Sequence, residues 1–154
     1  GRQMVKNALE LDTEARVWGR RNFSQQMPVL VANDFADAFP SVSHSWVFAT
    51  MRAAKFPIGL QNIILACYCL PMMTVPNGND WKAVAIFLCG VMQGCPLSGF
   101  IFVNCIDGFL WQLYNIIVES GRGRLGAMAD DVGFVLDSIE LLHPIKERYD
   151  VLGG

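Results

Sequence analysis

The stretch Arg124-Leu-Gly-Ala-Met-Ala-Asp-Asp-Val-Gly-Phe-Val-Leu136 predicts a β-hairpin with two acids at its tip. Apolar runs of the β type, Leu125–Ala129 and Val132–Leu136, flank Asp130 and Asp131, and a gap of two residues is the spacing of a tight turn. Neighbouring side chains on a strand point to opposite faces, so one acid can face a site while the other supports it. Acids at a hairpin tip suit a hard cation such as Mg²⁺, although a solvated turn is the commoner reason for such a pair.

A third acid, Asp34, follows an apolar run earlier in the chain. The run Met27–Ala32 is nearly continuous, which predicts a strand buried on both faces. The C-terminal end of such a strand is a common position for site residues in mixed α/β folds. A buried carboxylate also needs a cation or hydrogen-bond donors, because leaving it unpaired is costly. A helix or turn cap is the alternative role for Asp34.

A glycine-rich loop, Gly90-Val-Met-Gln-Gly-Cys-Pro-Leu-Ser-Gly99, lies between the acids and precedes a long apolar helix predicted from Ser98 to Ser120. Glycine lets a backbone approach a ligand closely, and the Gln93 amide can both donate and accept hydrogen bonds. Ser98 is placed to cap the helix. An ordinary strand-to-helix connection is the alternative for this loop.

The remaining pattern predicts helices at about 3–20, 44–55, 58–69 and 138–151 and a second hairpin around Asn77-Gly78. The first helix is expected at the surface, with Leu9 and Trp18 in its apolar stripe. His44 is expected at the surface or as a cap, since no second histidine lies nearby to form a metal pair.

Composition predicts one domain that is unusually apolar for its length. The 154 residues are 53% hydrophobic and 17% charged, with mean hydropathy +0.32. We therefore expect a piece of a longer polypeptide, with part of its surface covered by other segments. The net charge is −2, which gives no basic excess, so if the protein binds nucleic acid, most of the residues that neutralise its phosphates must lie elsewhere.

The cysteines and the longest apolar run indicate an intracellular protein with no membrane span. The five cysteines include no Cys-x-x-Cys pair, and we expect buried free thiols in a reducing compartment, with a metal or disulfide role as the alternative. The run Gly99–Val118 contains Asn104, Asp107, Gln112 and Asn115, so it is predicted to be a core helix.

Taken in order, the motifs resemble those of a reverse transcriptase palm of the non-LTR retrotransposon type. Asp34-Phe-Ala-Asp-Ala-Phe39 resembles the first catalytic motif, Gly90–Ser98 the second and Ala129-Asp-Asp131 the third. The tail from Ser138 is similar to the start of the fourth motif. The ordered set is far more specific than any single motif.

The resemblance implies an α+β polymerase palm. Its antiparallel sheet would have a split βαβ, ferredoxin-like core, with helices packed on one face. Residues 1–25 would be the end of the fingers region and residues 26–154 a partial palm. Most of the fingers and all of the thumb would lie outside the chain, so the isolated fragment is expected to be inactive.

The resemblance also implies RNA-directed DNA polymerase activity in retrotransposition. The enzyme would transfer nucleotides from deoxynucleoside triphosphates to the 3′-OH of a DNA primer on an RNA template. Two Mg²⁺ ions, or Mn²⁺ in their place, would be held by Asp34 and Asp130 with help from the Phe35 backbone carbonyl. Asp131 would be the less direct of the catalytic acids.

Five residues would bind the nucleotide by the same resemblance. Phe39 would exclude the ribose 2′-OH, Gln93 would lie against the nucleotide and template, and Gly94, Pro96 and Ser98 would shape the pocket. The chain departs from the family at two positions. Met128 stands where the family usually has Tyr or Phe, and Pro40 stands where many relatives carry an acid. A palm retained as an RNA- or protein-binding scaffold, or an inactive remnant, is the alternative.

Overall fold

The computed structural model describes residues 2–21, 27–92 and 94–153. Its elements in chain order are α1 (Arg2–Arg21), β1 (Val29–Asp34), α2 (Ala38–Ser41), α3 (His44–Ala53), α4 (Ile58–Tyr68), β2 (Met72–Asn77), β3 (Asp80–Ile86), α5 (Ser98–Tyr114), a π-helical turn (Asn115–Glu119), β4 (Gly123–Met128), β5 (Asp131–Leu136), a 3₁₀ turn (Ile139–Leu141) and α6 (Leu142–Gly153). They form two compact units. The acidic unit comprises Gly1–Ala36 with Ile106–Gly154, and the loop unit comprises Asp37–Cys105.

The sheet of the acidic unit has the strand order β1-β5-β4. Strand β5 pairs antiparallel with both of its neighbours. Strands β1 and β4 therefore run in the same direction with β5 between them, which is the split βαβ arrangement. The predicted mixed fold with an antiparallel sheet is confirmed.

One face of this sheet carries the core of the acidic unit. Val132, Phe134 and Leu136 of β5 are buried together with Leu113 of α5 and Ile145 of α6. Since alternate residues of a strand share a face, this spacing fixes the inward side of β5. Fully burying side chains of this size contributes roughly 1.5–3 kcal/mol each to the free energy of unfolding.

Helix α1 packs on the other face of the same sheet. A Cβ built on Gly133 would lie only 2.8 Å from Leu11 Cδ1, so this glycine makes room for the leucine, whereas a Cβ built on Gly126 would lie at an ordinary contact distance of 3.4 Å. The Asn7 side-chain amide donates to the Ala127 carbonyl oxygen at 3.2 Å. The prediction that Leu9 belongs to the apolar stripe of this helix was wrong, since Leu9 is 62% exposed. The side of the helix that carries Asn7 and Leu11 faces the sheet instead.

Strand β1 differs from the strand predicted at Met27–Ala32. It begins and ends two residues later, and its burial alternates along its length. Leu30 is 55% exposed. The expected burial on both faces was wrong, because in the described part of the chain β1 lies at the edge of an antiparallel sheet.

The loop unit has its own core and a hairpin of exposed strands. Val47, Met51, Ile64, Tyr68 and Ile101 belong to the core, which α3, α4 and the start of α5 share. Strands β2 and β3 pair as the Asn-Gly signal predicted. Gly78 in the turn has φ +67°, a backbone angle that favours glycine.

Helix α5 and its π-helical turn form the longest apolar element. Ser98–Glu119 has the length and composition of a membrane-crossing helix, and 39% of its most apolar window is buried. It contributes Ile101 to the core of the loop unit and Leu113 and Ile117 to the core of the acidic unit. These contacts agree with the predicted core helix.

Candidate active site

The acidic hairpin turns one residue earlier than predicted. Strand β4 runs through Met128, and Met128 pairs with Asp131, which is the first residue of β5. The two turn residues are therefore Ala129 and Asp130, and the prediction that placed both acids in the turn was wrong. Ala129 adopts φ +53°, a left-handed angle that an alanine rarely takes and that the sequence does not signal.

The strand register brings the three predicted acids to one end of the sheet. Asp34, at the end of β1, lies directly opposite Asp131. The Phe35 backbone N–H donates to the Asp130 carbonyl oxygen at 3.3 Å, which ties the turn to the residue after Asp34. Directly opposed residues share a face, so Asp34 and Asp131 both lie on the face that α1 packs against, and both are exposed.

The ring of Phe35 anchors the backbone beside Asp34. It lies 5.9 Å from the ring of Phe109, edge to face, and 5.9 Å from the ring of Tyr149. Such pairs stabilise by about 0.5–1.5 kcal/mol beyond the area they bury. The Phe35 side chain thus belongs to the core, and only its backbone is available to a ligand at the acidic end.

The acids suit a hard cation by their chemistry. Carboxylate and carbonyl oxygens are the ligands that Mg²⁺ prefers, and Asp34, Asp130, Asp131 and the Phe35 carbonyl supply only oxygens. Across residues 2–21, 27–92 and 94–153, no three side chains of His, Cys, Asp or Glu converge as a ready metal site. The structure therefore brings the backbone positions of the three acids together, and it does not bring their carboxylates into one cluster.

The residues expected to bind a nucleotide belong to the loop unit. Phe39 lies on α2, half-buried, and its ring stacks on that of Phe102 at 4.5 Å and 20°. Gly94 has φ +85°, so a glycine is favoured there, and Pro96 is exposed. Gln93 lies outside the described residues.

Ser98 closes the glycine-rich loop instead of capping the helix. Its hydroxyl donates to the Met92 carbonyl oxygen, and its side chain is buried. The predicted cap was wrong because α5 begins at Ser98 itself, and the Ile101 N–H of its first turn donates to the Leu97 carbonyl oxygen instead of the Ser98 hydroxyl. Ser98 instead ties the start of α5 to Met92.

The sequence did not predict the polar contact made by Asn33. The Asn33 side-chain amide donates to the Tyr149 hydroxyl oxygen at 3.0 Å, which joins β1 to α6. Burial raises the pKa of Tyr149, and the hydrogen bond from Asn33 partly offsets that rise. The alternation of Val29, Val31 and Asn33 was the available signal, since it places Asn33 on the core face.

His44 was predicted at the surface or as a cap, and this prediction was wrong. Its side chain is buried, and its Nε2 lies 2.9 Å from the Gly90 carbonyl oxygen. The ring packs edge to face on Tyr68 at 5.4 Å. The partner of His44 is 46 residues away in sequence, so no local pattern signals the burial.

Comparisons with known proteins assign the chain to a family. The family model of reverse transcriptase (RNA-dependent DNA polymerase) matches residues 6–149. A retrovirus-related Pol polyprotein from the type-1 retrotransposable element R2 of Nasonia vitripennis is 31% identical over 124 residues, which are 76% of the chain and 12% of that protein. The transposon TX1 uncharacterized 149 kDa protein of Xenopus laevis is 29% identical over 124 residues, 77% of the chain and 10% of that protein.

A solved structure shares the fold. The structure of apo telomerase from Candida tropicalis, truncated from the C-terminal domain, aligns with a TM-score of 0.62 at 14% identity. The alignment covers 93% of this chain and 30% of that one. The fold and the acidic end of its sheet thus define a polymerase-type α/β protein. The chain belongs to the reverse transcriptase family, and its relatives in the R2 and TX1 elements assign it to the non-LTR type.

Proposed function

We propose that the chain is the palm of an RNA-directed DNA polymerase that copies RNA during retrotransposition. The observation that carries the proposal is the pairing of Asp34 with Asp131 at the end of the sheet, next to Asp130 in the turn. The chain spans about a tenth of the curated relatives that it matches, so the activity of a whole protein is part of the proposal. Its template would be RNA, its primer DNA and its substrates deoxynucleoside triphosphates.

The catalytic step proposed is nucleotidyl transfer with two Mg²⁺ ions, or Mn²⁺ in their place. When bound, the ions would make the primer 3′-OH a better nucleophile and stabilise charge on the leaving pyrophosphate. Asp34 and Asp130 would hold them, helped by the Phe35 backbone carbonyl. Asp131 would act less directly, and its pairing with Asp34 supports a place at the edge of the metal site.

The nucleotide-binding role is proposed for residues of the loop unit. Phe39 would select deoxynucleotides by excluding the ribose 2′-OH, and its stacking on Phe102 supports a rigid ring. Gly94, Pro96 and Ser98 would shape the pocket, and Gln93 would contact the nucleotide and template. Phe39→Val should therefore raise incorporation of ribonucleotides relative to deoxynucleotides, whereas Phe56→Val, elsewhere in this unit, should leave that ratio unchanged.

The division of the chain is proposed as the end of the fingers at residues 1–25 and palm at 26–154. A palm without fingers and thumb lacks most of the surface that grips template and primer. We therefore expect the isolated chain to extend primers poorly or not at all, and activity tests need it joined to fingers and thumb segments. Processive extension by residues 1–154 alone would contradict this expectation.

The test separates an enzyme from a scaffold with one variant. Binding of a primed RNA template and Mg²⁺-dependent incorporation of one deoxynucleotide are measured for the wild type and for Asp34→Asn. The enzyme proposal predicts that Asp34→Asn keeps template binding and loses incorporation, and that chelation of Mg²⁺ has the same effect on the wild type. Tight RNA binding without incorporation in either protein would favour a scaffold.

A further inference from the structure

The start of the glycine-rich loop is hydrogen-bonded to the segment that carries Phe39. The Gly90 backbone N–H donates to the Val42 carbonyl oxygen and that of Val91 to the Phe39 carbonyl oxygen, each at 2.8 Å. Gly90 has φ +95°, and a Cβ built on it would lie 3.2 Å from the Pro40 carbonyl oxygen. The loop therefore begins in close backbone contact with the residues around Phe39.

Two buried polar side chains form hydrogen bonds with the same part of the loop. His44 Nε2 lies 2.9 Å from the Gly90 carbonyl oxygen, and since a carbonyl only accepts, Nε2 carries the proton. The Met92 backbone N–H donates to the Tyr68 hydroxyl oxygen at 3.3 Å. His44 is 6% and Tyr68 0% exposed, so neither group can exchange its loop partner for bulk water.

Met92 links these anchors to the rest of the loop. Its carbonyl oxygen accepts from the Cys95 backbone N–H at 3.2 Å and from the Ser98 hydroxyl. A displacement of Met92 would therefore be passed to Cys95 and Ser98, which flank the position of Pro96. His44 and Tyr68 thus both direct their polar atoms to the same short stretch, Gly90–Met92.

We propose that His44 and Tyr68 are positioning residues for the incoming deoxynucleotide, acting through the glycine-rich loop. This inference rests on the proposed function, in which Phe39 and the loop residues contact the nucleotide. His44 holds Gly90 and Tyr68 holds Met92, so the stretch Gly90–Met92 keeps one conformation before the nucleotide arrives. Preorganisation of this kind reduces the ordering cost of binding, so its loss weakens nucleotide binding more than it slows chemistry.

The catalytic test uses Tyr68→Phe, which keeps the ring and removes only the hydroxyl, in a polypeptide with fingers and thumb. Losing one hydrogen bond of this kind should raise KM for the deoxynucleotide roughly two- to tenfold while kcat changes little. His44→Leu should do the same, and His44→Gln should restore the wild-type KM because its amide can donate to Gly90. Tyr114→Phe, in the acidic unit, is the matched control and should leave KM unchanged. A fall in kcat at constant KM, or no rescue by His44→Gln, would overturn the proposal.

A second measurement separates this inference from the proposed function. Amide hydrogen exchange on residues 1–154 reports the anchoring without catalysis, and Tyr68→Phe should speed exchange at Met92 and Cys95 relative to amides of β5. Unchanged exchange at both amides would overturn the anchoring even in an active polymerase. A wild type that incorporates no nucleotide while Tyr68→Phe loosens the loop would refute the polymerase and leave the anchoring standing.

Discussion

Neutralising Asp131 should stabilise the protein in the absence of divalent metal. Asp34 and Asp131 are directly opposed on one face, where Cβ atoms lie about 4.5–5.5 Å apart. Two charges about 5 Å apart in water repel by about 0.8 kcal/mol, and physiological salt screens roughly half of that. Asp131→Asn should therefore add about 0.4 kcal/mol to the free energy of unfolding, or about 1 °C in Tm for a chain of this length.

Mg²⁺ should reverse the order of the melting temperatures of the wild type and Asp131→Asn. A ligand that binds only the folded state stabilises it by about 2.7 kcal/mol at a concentration one hundred times its Kd. The wild type keeps all three carboxylates at the acidic end, whereas Asp131→Asn has two. Mg²⁺ should therefore stabilise the wild type more than the variant. Calorimetry with chelator and with a Mg²⁺ series should show the variant melting higher without metal and lower with it.

Asp137→Asn is the matched control, at the opposite end of β5. Its carboxylate accepts from Arg122 Nε at 3.1 Å in a partly buried pair, so its loss should lower Tm by the same amount with and without Mg²⁺. If Asp131→Asn melted below the wild type in chelator, the opposed-charge reasoning would be wrong. If Mg²⁺ raised the Tm of the wild type and the Tm of Asp131→Asn equally, the metal would bind somewhere other than the acidic end.

Two further predictions concern stability. Gly123→Ala should lower the free energy of unfolding by roughly 1–3 kcal/mol, since its Cβ would lie 2.0 Å from the Val135 carbonyl oxygen of β5. Gly126→Ala should cost less, because its Cβ would lie at ordinary contact distances, 3.4 Å from Leu11 Cδ1 and 3.5 Å from Asn7 Cβ. Equal midpoints of the two variants in urea unfolding would contradict this. Burial raises the pKa of Tyr149 above its ordinary value of 10.0, so the folded state holds that proton more tightly than the unfolded state. Stability should therefore be intact below pH 10 and fall as pH rises through the raised pKa, with a shallower fall in Tyr149→Phe measured by denaturant titration.

The sequence contains enough local pattern to predict the sheet and the acids, and too little to predict their register. Alternation in Val132, Phe134 and Leu136 determines which side of β5 faces the core, whichever residue begins the turn. The one-residue shift depends on Ala129 adopting a left-handed angle, which its chemistry disfavours and only the folded hairpin imposes. The pairing of Asp34 with Asp131 is a register between strands that lie far apart in the sequence, so no local pattern signals it.

The contacts that hold the loop were beyond prediction for a different reason. Tyr68 meets Met92 across 24 residues, and His44 meets Gly90 across 46. A buried histidine looks like a surface one in the sequence until its partner is known. The role proposed for Phe39 came from resemblance alone, since nothing in its local pattern distinguishes it from a core aromatic.

The central claim is that Asp34, Asp130 and Asp131 form the centre of a template-directed polymerase. The most direct measurement is Mg²⁺- or Mn²⁺-dependent incorporation of one deoxynucleotide on a primed RNA template, by the chain joined to fingers and thumb. We predict incorporation by the wild type, loss to background in the double variant Asp130→Ala, Asp131→Ala, and retention in Asp12→Ala on α1. Equal incorporation by the wild type and the double variant would contradict the claim. A wild type that unfolds cooperatively and incorporates no nucleotide would also contradict it.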